Sequence, residues 1–369
     1  MKNTFPEIHK NFGFGCMRLP MIGEGADAVV DNNEFSRMID TFIAAGFNYF
    51  DTAHGYLGGK SELALRDCLT SRYPRDAYIL TNKLSSGFFE KNEDIRPFFA
   101  SQLEACGVDY FDFYLMHAQD KEKFAKYKAC RAYETAFALR DEGKVRHVGI
   151  SFHDSAETLD EILSTYPEIE IVQLQFNYAD YEDAAVQSRL CYETCVKHGK
   201  PVIVMEPVKG GTLVNNLPAE AKAILDALGG GSYASYAIRF AASFDGICMV
   251  LSGMGNMDMM NDNISYMKDF HPLSAEEHSA VDRVAAILRA QKAIPCTACS
   301  YCTEECPQEI PIPRIFACLN AKSKFYYRVH TTNTAKASDC LSCGRCESVC
   351  PQHLPIRELL KKAAAELEG

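Results

Sequence analysis

Eight of the sixteen cysteines fall in two runs that share one template. From Cys296 the chain reads CTACSYCTEECPQEIPI, and from Cys340 it reads CLSCGRCESVCPQHLPI, so C-x2-C-x2-C-x3-C-P-Q-x-x-P-I occurs twice. Three cysteines spaced by two residues can wrap one corner of an iron-sulfur cubane, whereas a fourth, set off by three residues and followed by proline, points elsewhere. Zinc also takes four thiolates, but zinc ribbons pair two C-x2-C units and have no use for a third close ligand and a Cys-Pro step. The repeat therefore predicts two 4Fe-4S clusters on Cys296, Cys299, Cys302, Cys306, Cys340, Cys343, Cys346 and Cys350.

The span between Cys306 and Cys340 is longer than a compact ferredoxin repeat needs, and residues 312–323 and 355–368 carry helical patterning. The module resembles the helical type of dicluster ferredoxin. In two-cluster ferredoxins the fourth cysteine of each run ligates the other cluster. That resemblance implies one set of Cys296, Cys299, Cys302 and Cys350 and a second of Cys340, Cys343, Cys346 and Cys306. The remaining cysteines, at positions 16, 68, 106, 130, 191, 195, 248 and 318, show no ligand spacing beyond the helical pair Cys191 and Cys195 and read as small buried hydrophobes.

Ahead of the cysteines, polar and ionisable residues recur at the ends of short apolar runs: Asp51, Lys83, His117, Ser151, Gln173, Glu206 and Ser252. The runs themselves, at 12–16, 49–52, 78–82, 113–116, 147–150, 171–174, 202–205 and 248–251, alternate with amphipathic stretches, as a βα repeat should. Eight such units make a (β/α)8 barrel, whose active site is built where the carboxyl ends of the strands converge. A doubly wound open sheet is the competing α/β fold, but no G-x-G-x-x-G opens a helix after the first strand. The expectation is an α/β chain: a (β/α)8 TIM barrel over 1–288, then a small, mainly helical dicluster ferredoxin domain over 289–369, with the junction near 285–295.

A chain of 369 residues has room for a barrel of about 250 residues and an appended module. Hydrophobic residues make up 47% and charged residues 24%, the usage of an ordered globular protein. The net charge is -11, with 38 basic against 49 acidic residues and no clustered basic run, so no nucleic-acid partner is expected. Residues 1–10 hold no apolar core behind a basic start, and no uncharged apolar stretch reaches the ~18 residues of a membrane span. A cytoplasmic location without membrane contact is expected, where reduced thiols serve as ligands and not as structural disulfides.

Four stretches carry a family resemblance. GFNYFDTAHGYLGGKSE, over 46–62, resembles the D-T-A-x-x-Y signature of aldo-keto reductases; CGVDYFDFYLMH, ending at His117, resembles the strand-four motif; EGKVRHVGIS, ending at Ser151, resembles G-K-V-R-x-x-G-x-S; and VQLQFN contains the matching Gln173. The resemblance spans roughly 12–270 and implies a catalytic tetrad of Asp51, Tyr56, Lys83 and His117. Its chemistry is reduction of a carbonyl in an aldehyde, ketone or quinone, with hydride from NADPH or NADH. Developing alkoxide needs a general acid, and Tyr56 fits. An unperturbed phenol titrates near pH ~10, and a cation at Lys83, held by Asp51, would ease its proton loss. His117, as neutral imidazole, would orient the carbonyl oxygen or relay the proton.

By the same resemblance Ser151 and Gln173 would hold the coenzyme's carboxamide. Glu206, Lys209, Gly210 and Gly211 after strand seven, and Ser252, Gly253, Asn256 and Asn263 after strand eight, would line the rest of the coenzyme site. The sequence departs from the family in two places: Phe152 follows Ser151 where many members carry asparagine, and Asp262 stands where a glutamate is usual. Ser252 to Asn263 contains no Lys or Arg to grip a ribose phosphate, so NADH is expected to be at least tolerated, with Lys209 or Lys268 as the other cations in reach. A small-molecule carbonyl is the expected partner, together with a ferredoxin or another redox protein. The rival reading is a catalytically silent barrel carrying an electron-transfer subunit, which a complete tetrad argues against.

Overall fold

Apolar runs rich in β-branched and aromatic residues form eight strands: β1 Phe12–Gly15, β2 Tyr49–Asp51, β3 Ile79–Leu84, β4 Phe111–Gln119, β5 Val145–Phe152, β6 Ile171–Gln175, β7 Val202–Met205 and β8 Ile247–Ser252. The computed structural model describes residues 5–23, 28–290, 293–320, 323–332 and 334–368. Residues 1–4 of the amino-terminal stretch, 291–292 of the expected junction and 321–322 of the expected 312–323 helix lie outside the described residues. Each strand pairs in parallel with the next, and β8 closes onto β1 with Phe12 opposite Val250 and Phe14 opposite Ser252. This is a closed (β/α)8 barrel. All eight apolar runs are strands; β4, β5 and β8 extend beyond theirs at both ends, and in β4 and β5 the ladder continues from Phe111 opposite Val145 to Gln119 opposite Phe152. A short antiparallel hairpin, Met21–Ile22 with Val29–Val30, precedes the first helix and has no counterpart in the expectations.

Successive side chains on a strand face opposite ways, so residues two apart share a face. Tyr49, Ile79, Phe113, Leu115, Ile171, Ile203, Met249 and Leu251 form one apolar cluster with Phe5 and Ile8. These residues plug the interior. Two steps further along the strands, Tyr49 leads to Asp51, Leu115 to His117, Ile171 to Gln173 and Ile203 to Met205, which puts the polar residues directly above the plug. Gly149 is required at this level: a Cβ there would lie 2.6 Å from the Ile171 carbonyl oxygen. A second, larger core fills the space between strands and helices.

The cysteine module has its own core, in which Ile310, Ile315, Phe316, Tyr327, Ile356 and Leu360 surround Cys302 and Cys346. Helices Ile312–Asn320 and Ile356–Ala363 occupy the two expected helical segments, and Lys324–Thr331 adds a third. The internal repeat extends to the backbone. Left-handed φ values occur at Ala298, Ser300 and Glu309 in the first run and at the corresponding Ser342, Gly344 and His353 in the second. Such turns aim successive N–H groups toward one side, as sulfur-lined sites require; Ser342 N donates to Cys340 Sγ at 3.4 Å. No helix among the described residues is long and apolar enough to cross a membrane.

Candidate active site and cysteine cradles

The loop after β2 sets the first of the polar residues. Left-handed backbone at Leu57, Gly58 and Gly59 turns the chain sharply behind Tyr56, and the two glycines make that turn affordable. Beneath it, buried Glu62 accepts from Asn82 Nδ2 at 2.7 Å and lies 2.7 Å from His54 Nδ1, tying the Tyr56 loop to β3. Ser61 Oγ sits 2.8 Å from Thr52 Oγ1 and donates to the Cys16 carbonyl at 2.9 Å. The motif's Thr, Ser and Glu thus hold the loop in place.

Lys83 is fully buried, and its ammonium donates to Asp51 Oδ1 at 2.6 Å, to the Thr52 carbonyl at 2.8 Å and to Tyr56 Oη at 3.2 Å. All three of its protons are used. Burial pulls the Lys83 ammonium below its usual value, opposed by the Asp51 carboxylate. Burial also holds the Tyr56 phenol well above its usual value, with Asp51 acting in the same direction. Desolvation therefore outweighs any easing by Lys83 in the resting state, and Tyr56 keeps its proton until a neighbour takes it. His117 Nδ1 lies 2.6 Å from Ser85 Oγ, and burial followed by the Lys83 charge pushes the imidazole well below the usual histidine range. It is neutral. The Tyr56 and His117 rings meet edge to face at 6.1 Å.

Asp51, Tyr56, His117, Ser151, Gln173, Glu206 and Gly253 line one cavity of about 670 Å³ at the barrel mouth. Arg18, His153, Cys299, Tyr301 and Pro351 line it as well. Sequence reasoning missed Arg18 and His153 because nothing in their local pattern sets them apart, and Tyr301 because the cysteine template around it absorbs the signal. Two of these lining residues carry a buried polar atom, Glu206 Oε2 and His153 Nδ1, with no hydrogen-bond partner among the described residues. Glu206 also has a left-handed φ of 57°, the kind of strain that concentrates at functional sites. Burial raises its carboxyl, against the pull of Arg18 and Lys209.

The residues expected to hold coenzyme separate into two groups. Ser151, Gln173, Glu206 and Gly253 are in the cavity, but Ser151 Oγ accepts from Ala118 N at 2.7 Å and Gln173 Nε2 donates to Asp51 Oδ2 at 3.0 Å. The second group is engaged elsewhere. Lys209 is 4% exposed, pairs with Asp180 and donates to Gln352 Oε1 of the cysteine module at 2.8 Å. Gly210 lies beneath the Thr297 carbonyl, where a Cβ would come within 2.1 Å of that oxygen, and Gly211 leads into the short helix Thr212–Asn215. Asn263 donates to Ser252 Oγ at 2.9 Å, and Asn256 caps helix Met257–Met267 by accepting from Met259 N at 2.9 Å. Ser151 and Gln173, the residues expected at the carboxamide, thus line the cavity, while the loop after β7 is covered by the module. Lys10 donates to the Lys268 carbonyl. Arg18, far away in sequence, packs against Gly253 and brings a cation to the β8 loop.

Cys296, Cys299, Cys302 and Cys350 surround one cavity of about 320 Å³. Cys306, Cys340, Cys343 and Cys346 surround a second of the same size. Each cradle takes three cysteines from one run and the fourth from the other, and apolar Phe316 and Ile356 in the first, Ile310 and Leu360 in the second, complete their walls. Among the described residues no three acidic, histidine or cysteine side chains converge to hold a single ion. The donor set of each cradle, four thiols drawn from two runs, fits a cubane. Of the other eight cysteines, Cys248 is half-buried and the rest are buried.

The family model of the aldo/keto reductases matches residues 11–286. The chain belongs to the aldo/keto reductase family. A 4Fe-4S dicluster domain follows at residues 295–354. Among curated relatives, the NADH-specific methylglyoxal reductase of Escherichia coli is 30% identical over 208 residues, half of this chain and 61% of that enzyme. An aldo-keto reductase of Mycolicibacterium vanbaalenii is 27% identical, covering 72% of this chain and 88% of its own length. The Klebsiella pneumoniae aldo-keto reductase solved in complex with NADPH superposes with a TM-score of 0.61 at 19% identity, over 74% of this chain and 90% of that one. The holo form of a Bacillus halodurans aldo-keto reductase gives 0.57 at 23% identity, over 74% and 91%. This aldo/keto reductase therefore carries a 4Fe-4S dicluster domain behind its barrel.

Proposed function

We propose that the protein reduces the carbonyl of a small molecule in the cavity at the barrel mouth, with Tyr56 as proton donor. The observation that carries this reading is the Lys83 ammonium, which bridges Asp51 Oδ1 at 2.6 Å and Tyr56 Oη at 3.2 Å. As charge develops on the carbonyl oxygen, Tyr56 gives up its proton, and Lys83 stabilises the phenolate left behind. Asp51 keeps Lys83 charged and aimed, and Gln173 fixes the other oxygen of Asp51. Neutral His117 orients the carbonyl oxygen. A nicotinamide coenzyme, when bound, supplies the hydride, with Ser151 and Gln173 nearest its carboxamide. NADH is at least tolerated. The unpartnered Glu206 and His153 atoms favour a substrate that carries a second polar group.

In this reading residues 1–288 form the catalytic part and 289–369 the cluster-bearing part, with four cysteines of each cradle as ligands. Anaerobic steady-state assays with NADH and NADPH against aldehydes, ketones and quinones test it. Turnover that depends on Tyr56 supports the proposal. Full activity in Tyr56→Phe would place the acid elsewhere.

A further inference from the structure

The two cysteine cradles differ in what they face. The cradle of Cys296, Cys299, Cys302 and Cys350 lies against the barrel: Arg18 Nη2 donates to the Thr297 carbonyl at 3.4 Å, Lys209 holds Gln352, and Thr297 covers Gly210. Its loop reaches further still, since Cys299 and Tyr301 are walls of the same cavity as Tyr56 and His117. The other cradle opens outward. Cys343 is exposed, and Leu341 beside it in the wall is 64% exposed. The module's shared core packs Cys302 of the inner set and Cys346 of the outer set together.

We infer that the module is an electron path running from the exposed Cys343 cradle through the Cys299 cradle into the Tyr56 cavity, and that the cavity reduces a conjugated carbonyl with electrons delivered singly by a low-potential electron-carrier protein. This rests on the proposed carbonyl pocket and its Tyr56 acid, and adds a second source of electrons beside the nicotinamide hydride. Ordinary carbonyl reduction moves two electrons as one hydride, whereas an iron-sulfur centre passes one at a time. A cluster site that shares a wall with the carbonyl pocket can pass electrons into it one at a time only if the substrate can hold a single electron, and conjugation provides that stability.

The balance is complete. The carrier protein is oxidised twice, one electron each time. The first electron and the Tyr56 proton convert the C=O group into an oxygen-protonated, delocalised substrate radical. The second electron and a proton from water form the C–H bond and give the alcohol, and a second proton from water restores the Tyr56 phenol. Two clusters storing one electron each hold the pair that one carbonyl consumes.

The test uses the full chain, purified anaerobically, reduced with dithionite and desalted. It is mixed with cinnamaldehyde or with its saturated counterpart 3-phenylpropanal, with no nicotinamide present. Visible absorbance and paramagnetic resonance follow the clusters, and chromatography counts product. Cinnamaldehyde is expected to reoxidise the clusters, to perturb the signal of one cluster and not the other, and to give about one alcohol per chain. 3-Phenylpropanal is expected to leave the clusters reduced. Tyr56→Phe is expected to slow reoxidation on the order of 10²-fold. Clusters that stay reduced under cinnamaldehyde, in protein that turns this aldehyde over with NADH or NADPH, overturn the path and leave the proposed reductase standing. Reoxidation at an unchanged rate in Tyr56→Phe also overturns the path. Failure of both aldehydes with every donor removes the proposed function as well.

Discussion

The ammonium of Lys209, on the barrel, donates to Gln352 Oε1, on the cysteine module, at 2.8 Å, while the same ammonium pairs with Asp180. A loop that would otherwise present a cation and two glycines to phosphate is instead the seat of the module. Gln352 follows Cys350 and Pro351, so the contact ties the docking of the module to the inner cradle.

Replacing Gly210 tests this seat. Its φ is 61° and a Cβ would meet the Thr297 carbonyl at 2.1 Å, so Gly210→Ala must push the inner-cradle loop away. Limited proteolysis between barrel and module should accelerate, and NADPH should bind more tightly as the phosphate loop is uncovered. Unchanged proteolysis and unchanged affinity would mean that the contact does not gate the loop.

The Asp51–Lys83 pair is buried on both sides, so removing one partner leaves an uncompensated charge. Lys83→Met should cost about 3–5 kcal/mol of stability by chemical denaturation, and Asp51→Asn added to it should restore most of that loss without restoring turnover. Equal stability of the single and double variants would show that the pair is not held as a dry ion pair.

Burial makes His117 neutral, so the reduction rate should show no acid limb near pH ~6.5, where an ordinary histidine titrates. Burial likewise pushes His153 down to about 3. The unfolded chain takes up that proton near ~6.5, so the group's stability contribution is complete above that pH and is lost as pH falls toward 3. At pH ~5.5 the loss from His153 should reach about 1.4 kcal/mol relative to pH 8, and His153→Gln should lack it. A denaturation midpoint with the same pH dependence in both proteins would contradict this.

Glu206 lines the cavity, and its Oε2 has no hydrogen-bond partner among the described residues. Glu206→Gln should raise the KM of a hydroxylated carbonyl such as glyceraldehyde by on the order of 10-fold, with less effect on kcat. A KM that is unmoved for polar and apolar substrates alike would remove Glu206 from substrate binding.

The barrel was legible because its strands are apolar runs of matching length, and the period-two rule carries Asp51, His117 and Gln173 to one level above the plug. The cradle cysteines were legible because their spacing is local. The sequence hid what depends on long-range packing. Tyr301 joins the Tyr56 cavity from the far end of the chain, Arg18 reaches Gly253 from the loop after β1, and Lys209, which composition alone would give to phosphate, is consumed by Asp180 and Gln352. The hairpin Met21–Ile22 with Val29–Val30 is too short to carry a period.

Two cradles, each built from both cysteine runs, call for two 4Fe-4S clusters per chain. Iron and acid-labile sulfide, measured per chain on anaerobically purified protein and on Cys299→Ala and Cys343→Ala, test it most directly. The account predicts about eight of each in the parent protein and about four in either variant, with the inner cluster missing from the first and the outer from the second. Stoichiometric zinc without sulfide would contradict it.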